Sequence, residues 1–145
     1  MIQILLEGIP VSWLAHAGYG RRSFNPRFRE KSYALYHIKL QYDQLPIEEA
    51  ISICYEFEMP IPQSISKKKQ MQMLGGIIEH IKRPDCTNMQ KFYEDCLKGI
   101  VIKDDSQVVE SIARKRYSDH PRTVISIKTM RGMYDGERES NRLHH

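Results

Sequence analysis

Between positions 87 and 99 the chain carries a pattern that only one local structure satisfies. Met89, Phe92, Tyr93, Cys96 and Leu97 fall at i, i+3, i+4, i+7 and i+8, the apolar stripe of an α-helix. Asn88, Lys91 and Asp95 fall on the other side. Thr87 and Gln90 match a capping box, which predicts a helix start at Thr87. Gly99 suits the position just past the end. Pro84 biases Arg83 away from helix. Asp85 is therefore expected on an approach loop, at the positive end of the helix dipole. A short strand signal follows over residues 100–103 and ends in two adjacent carboxylates, Asp104 and Asp105.

The rest of the chain supplies a sheet for this helix to pack on. Residues 2–9 alternate as a first strand. Residues 10–26 form a long loop with Pro10, Gly18, Gly20 and Pro26. Loops of that length in compact domains are usually functional or disordered. This one interleaves Trp13, His16, Tyr19 and Phe24 with Arg21 and Arg22, which suits phosphate contacts and stacking on unpaired bases. Trp13 and Phe24 also suit the core. Residues 27–43 read as a helix with Phe28, Leu35, Ile38 and Tyr42 on one face. Residues 51–59 alternate cleanly as a strand with one buried face. Ser64 or Ser66 would cap a short basic helix over residues 67–74, ended by Gly75 and Gly76. Residues 108–117 and 123–131 read as two strands of a hairpin closed by residues 118–122. The expected class is α+β (α/β), a mixed β-sheet with packed helices. One domain would span residues 1–131, with a polar, flexible tail over 132–145.

No run of eighteen apolar residues is present, so no membrane helix is expected. The first residues read as a strand and not as a signal peptide. Cys54, Cys86 and Cys96 are odd in number and lack metal-site spacing, which points to a reducing cytoplasm without disulfides. The formal net charge is +4 and is unevenly spread. Arg21, Arg22, Lys67, Lys68, Lys69, Lys82 and Arg83 lie in two basic stretches that flank or contain the candidate acids, whereas Glu48, Glu49, Glu56 and Glu58 gather elsewhere. This segregation suits a polyanion such as nucleic acid.

If the helix folds back on the strand after it, Asp85 and Asp105 converge. Carboxylates from separate elements suit a hard divalent cation, with Lys82 and Arg83 where a phosphate chain arrives. Spacing alone also admits a plain cap for Asp85 and a solvated turn for Asp104 and Asp105. His80, five residues before Asp85, reads as a structural histidine or a group reaching a phosphate or water.

The string Lys-Arg-Pro-Asp-x-x-Asn-x-x-Lys, then Asp-Cys-Leu-Lys-Gly, then Asp-Asp-Ser-Gln-Val, resembles the core of the RusA family of Holliday junction resolvases. That resemblance implies a homodimeric, Mg²⁺-dependent endodeoxyribonuclease, with Mn²⁺ as a possible substitute. Such enzymes are often prophage-borne, and they resolve four-way DNA junctions in recombination and repair. It implies catalytic roles for Asp85, Lys91 and Asp105, and metal binding by Asp85 and Asp105 with Asp104 as a helper. Asn88 falls on the family's asparagine. The family's second carboxylate falls on Thr87, and a neutral hydroxyl ligates Mg²⁺ more weakly than an anion. Thr87 is left as a cap or as a group binding a water beyond the metal. A competing expectation is a branched-DNA binding protein that cleaves poorly because of Thr87.

Overall fold

The computed structural model describes residues 1–15 and 25–131. Arg21, Arg22, His16, Tyr19, Phe24 and the tail over 132–145 lie outside the described residues. In chain order the elements are β1 (Ile2–Glu7), α1 (Phe28–Gln41), β2 (Ile51–Pro60), α2 (Lys67–Leu74), α3 (Cys86–Leu97), β3 (Val108–Ser118) and β4 (Arg122–Thr129). The four strands form one mixed sheet in the order β1-β4-β2-β3. β4 is antiparallel to β1 and to β2, and β3 is parallel to β2. The expected class, a mixed sheet with packed helices, is what the chain adopts.

Period-two alternation sorts the sheet into two faces. One presents Ile4 and Leu6 of β1, Ile125 and Ile127 of β4, and Ile53, Tyr55 and Phe57 of β2, all buried. Helices α1 and α3 cover it. Ala34 and Ile38 of α1 and the predicted stripe Met89, Phe92, Tyr93, Cys96 and Leu97 of α3 complete the core. Phe57 meets Tyr93 with ring centroids 5.8 Å apart. Burying a side chain of this size stabilises the fold by about 1.5–3 kcal/mol. Phe28 does not join the core and is 71% exposed, because the buried stripe of α1 runs through Ala34 and Ile38, six and ten residues further on. Tyr42 is buried just past the helix, its hydroxyl donating to the Leu45 carbonyl at 2.6 Å.

Three expectations from the sequence are corrected. First, β3 and β4 are not a hairpin: β2 lies between them. Two apolar runs about a polar turn look the same locally whether the strands pair or flank a third. β2, buried along nearly its whole length, takes the centre. Strands flanking it lie about 9.6 Å apart, and the four peptide steps from Ser118 to Arg122 reach about 14 Å. Second, residues 100–103 are a turn, with only isolated bridges of Ile102 to Ile47 and Lys98. Val101 and Ile102 are apolar because they plug the core, not because they extend. Third, α3 begins at Cys86 and its cap is Asp85, not Thr87. Aspartate caps as well as threonine or better, and Pro84 delivers Asp85 in extended backbone. Gly99 follows at φ +87°, a conformation that costs a side chain but not glycine.

The outer edge of β1 is capped at Leu5. The Gln41 side chain of α1 accepts a hydrogen bond from Leu5 N and donates one to Leu5 O, each at 2.8 Å.

Candidate active site

The N-terminal half of α3 carries the first group of candidate residues. Asp85 Oδ1 accepts from Asn88 N at 3.1 Å, which closes the first turn. Arg83, Pro84, Asp85 and Asn88 form one wall of an open cleft of about 840 Å³. Residues 9–14 and Arg27 form the other. That second wall is strapped onto α3 by two hydrogen bonds. Val11 N donates to Tyr93 Oη at 2.9 Å, and Trp13 N donates to the Asn88 carbonyl at 2.9 Å. Lys91 then lies over the indole of Trp13, 3.6 Å from the ring centroid. Asp85, Thr87, Asn88 and Lys91 are all exposed. The structure therefore brings Asp85, Asn88 and Arg83 to one cleft, and Trp13, which lines the same cleft, links the strap to Lys91.

The approach loop is held from behind by a residue outside the motif. Lys115 of β3 donates to the carbonyls of Lys82 at 2.6 Å and Pro84 at 3.0 Å. Nothing in the local sequence signals this tether, since it joins positions far apart in the chain. His80 lies nearby, buried, its ring 4.9 Å from that of Tyr117. Burial, then the ammonium of Lys115, lowers its pKa. His80 is not among the residues lining the cleft, and its buried Nδ1 has no hydrogen-bond partner among the described residues. Burial also pushes the Cys86 thiol up, as for a bystander.

Asp104 and Asp105 lie elsewhere. Lys98, which caps the C-terminal end of α3, approaches Asp104 Oδ1 at 3.1 Å and Asp105 Oδ1 at 4.0 Å. Asp104 also caps a 3-10 turn over Asp105–Gln107, bonding the hydroxyl and amide of Ser106. Those Ser106 bonds and the Lys98 ammonium hold the Asp104 carboxyl far below the usual carboxylate range. Burial raises the pKa of Glu94, and the adjacent charge of Asp105 adds to that. The acid pair thus sits against the last turn of α3, while Asp85 caps its first.

Twelve helical residues rise about 18 Å. Within one chain, the expected convergence of Asp85 with Asp105 does not occur. Gln90 bonds Ser111 and Lys115 bonds the Pro84 carbonyl, so β3 runs antiparallel to α3. The chain thus leaves Asp105 at the wrong end. Among the described residues no three of His, Cys, Asp and Glu are grouped to hold a metal ion. The described carboxylates, as one chain sets them, do not surround a divalent cation.

Of the remaining candidates, Lys67, Lys68 and Lys69 are exposed on α2, which Ser66 caps, and Lys82 is exposed beside Arg83. No described helix is long and apolar enough to cross a membrane.

The family model described as endodeoxyribonuclease RusA matches residues 24–128. An uncharacterized protein of Bacillus subtilis (strain 168), YqaN, is 35% identical over 80 residues, which are 54% of this chain and 56% of that protein. The match thus spans just over half the length of that relative.

Proposed function

The chain belongs to the endodeoxyribonuclease RusA family, and from that premise we propose that it is a structure-selective DNA endonuclease that resolves four-way junctions by phosphodiester hydrolysis. The observation that carries this reading is an open cleft lined by Asp85, Asn88, Arg83 and Trp13, with Lys91 held over the indole of that same Trp13. Three of the four polar side chains in that group fall on the family's motif. Branched DNA in the cytoplasm is the proposed substrate, in recombination or repair.

Lys91 is the group placed to stabilise charge developing on a phosphoryl or leaving oxygen. Its stacking on Trp13 restricts where the ammonium lies without neutralising it. Arg83 and Lys82 on the loop, and Lys67, Lys68 and Lys69 on α2, neutralise flanking phosphates. Asp85 is fixed by its capping bond and keeps a second carboxylate oxygen available. Mg²⁺, or Mn²⁺ in its place, is the cofactor that the family implies. Because one chain separates Asp85 from Asp104 and Asp105, the family's carboxylate set would come together only between two copies, and a homodimer is part of the proposal.

The second reading is a junction-binding protein that cuts poorly. Thr87, exposed beside Asp85, is the observation that favours it. Cleavage of a labelled four-way junction by the wild type and Asp105→Asn, with and without Mg²⁺, separates the two. Paired nicks that need metal and vanish in the variant support the nuclease. Tight binding without nicks, even in excess Mg²⁺ or Mn²⁺, supports the second reading. Neither binding nor cutting sinks both.

A further inference from the structure

The segment between the end of α2 and the cap of α3 presents two isoleucines to solvent. Ile77 is 76% exposed and Ile81 is 87% exposed. Single apolar side chains on a surface are ordinary. Ile81 differs from Ile77 in how its backbone is held. The residue before it, His80, is buried, with its ring 4.9 Å from that of Tyr117. The residue after it, Lys82, accepts at its carbonyl from Lys115, 2.6 Å away, and Lys115 donates to the Pro84 carbonyl as well. Ile81 is therefore anchored on both sides while its own side chain stands in water. Being β-branched, that side chain also has few rotamers to lose. An apolar group that is rigid before it binds gives up little entropy when it does.

The surroundings indicate what it meets. Lys82 and Arg83 follow directly and are exposed, and Arg83 lines the cleft with Asp85, four residues beyond Ile81. Lys67, Lys68 and Lys69 are exposed on α2, earlier in the chain. A rigid apolar side chain flanked by cations matches a polyanion with an apolar interior. Phosphates meet the lysines and the arginine, and the face of a base pair meets the isoleucine.

We infer that Ile81 is a wedge that selects branched DNA over linear duplex, its side chain packing on the base pair that ends an arm at the branch point. The inference rests on the nuclease reading above and adds to it the feature of the substrate that brings a junction to the cleft. Within a continuous duplex, an inserted apolar side chain costs the stacking of the step it enters. At a branch point the strands part, and the end pair of an arm offers its face at lower cost. The same isoleucine therefore gains more from a junction than from a duplex. The selection is of shape and reads no base sequence.

The test compares junction and duplex binding by the full chain in EDTA, with a fluorescent adenine analogue at the branch point that brightens on unstacking. Wild type, Ile81→Ser, Ile81→Leu and Ile77→Ser are measured, each checked by thermal melting. The wild type should prefer the junction and brighten the probe. Ile81→Ser should lose roughly tenfold in junction affinity, keep its duplex affinity and leave the probe dark. The loss should be the same at low and high salt, unlike that of a phosphate contact. Ile81→Leu should retain the preference, and Ile77→Ser should behave as the wild type. Unchanged preference and brightening in Ile81→Ser, an equal loss on duplex, or the same loss in Ile77→Ser would each overturn the wedge. So would an altered sedimentation of free Ile81→Ser, which would mean that the isoleucine covers protein. If the wild type cuts junctions and Ile81→Ser keeps its preference, the wedge fails and the nuclease stands. A wild type that neither binds nor cuts a junction sinks both.

Discussion

Lys91 Nζ lies 3.6 Å above the ring centroid of Trp13, and the Trp13 amide bonds the Asn88 carbonyl one turn earlier on the same helix. The strap therefore acts on the helix twice, through backbone and through charge. A cation over an indole is worth about 0.5–2 kcal/mol. If Lys91 acts on the reacting phosphate, Trp13→Leu should slow single-turnover junction cleavage by roughly 2- to 30-fold, with little change in junction affinity. Lys91→Met should abolish cleavage. Equal losses of binding and cleavage in Trp13→Leu would make the tryptophan a DNA contact instead.

Asp85 has two jobs that substitution can separate. Asn caps a helix as well as Asp, whereas Ala costs about 0.5–2 kcal/mol at a cap. Asp85→Asn should therefore melt close to the wild type and Asp85→Ala below it. Both should lose cleavage by two orders of magnitude or so, since neither retains the anion. If Asp85→Asn still cuts, the carboxylate is only a cap.

Thr87 occupies the first turn of α3, where an added anion gains about 0.3–1 kcal/mol from the helix dipole. Thr87→Asp should be as stable as the wild type or slightly more so. It should also lower the Mg²⁺ concentration needed for half-maximal cleavage. A metal titration of both proteins on the same junction decides this, and an unchanged midpoint would mean that Thr87 is remote from the ion.

Glu58 is 3% exposed and bonds both Arg116, at 2.9 Å, and Arg122. Burial alone would raise its pKa, but the hydrogen bonds from the two arginines outweigh burial and lower it. A depressed native value means that the stabilisation is present above the unfolded value of about 4.3 and is lost as pH falls through the native one. The melting temperature should drop below about pH 4. Glu58→Gln should cost about 1–3 kcal/mol near neutrality and flatten that acid limb. A variant with the wild-type pH profile would show that the acid transition lies elsewhere.

Lys67, Lys68 and Lys69 are exposed on a short helix. If they neutralise phosphates, the slope of log affinity against log salt falls by about 0.9 for each contact removed. The triple alanine variant should bind junctions more weakly at low salt and nearly as well as the wild type at high salt. Parallel slopes would remove α2 from the DNA surface.

Local periodicity made much of this legible. The stripe of α3 and the serine-capped α2 are each written within a dozen residues, and each forms as read. β2 forms as a strand, but Ser52 and Glu58 on its other face are buried as well, because β2 lies between two strands in the sheet. The hairpin failed because the strand that enters between β3 and β4 is remote in sequence. The strand at residues 100–103 failed because Val101 and Ile102 are apolar for burial in a turn, which periodicity cannot distinguish over so short a run. The site was half legible. Asp85, Asn88 and Lys91 share a helix, so their spacing fixes their relation. Asp105 was misplaced because nearness in sequence says nothing about which end of an intervening helix a residue reaches. The Lys115 tether and the Trp13 stack are contacts between distant positions of the chain and left no local trace.

Gln41 matters for what the edge of β1 can accept. Its amide offers Leu5 the same donor and acceptor that a neighbouring strand would. An open strand edge is a template on which further chains add, up to a fibre. At Leu5 a side chain already fills the place of that strand. Gln41→Ala should therefore leave the fold intact and shift concentrated solutions towards turbidity and thioflavin-positive aggregates. In that sense one side-chain amide stands in for a missing fifth strand.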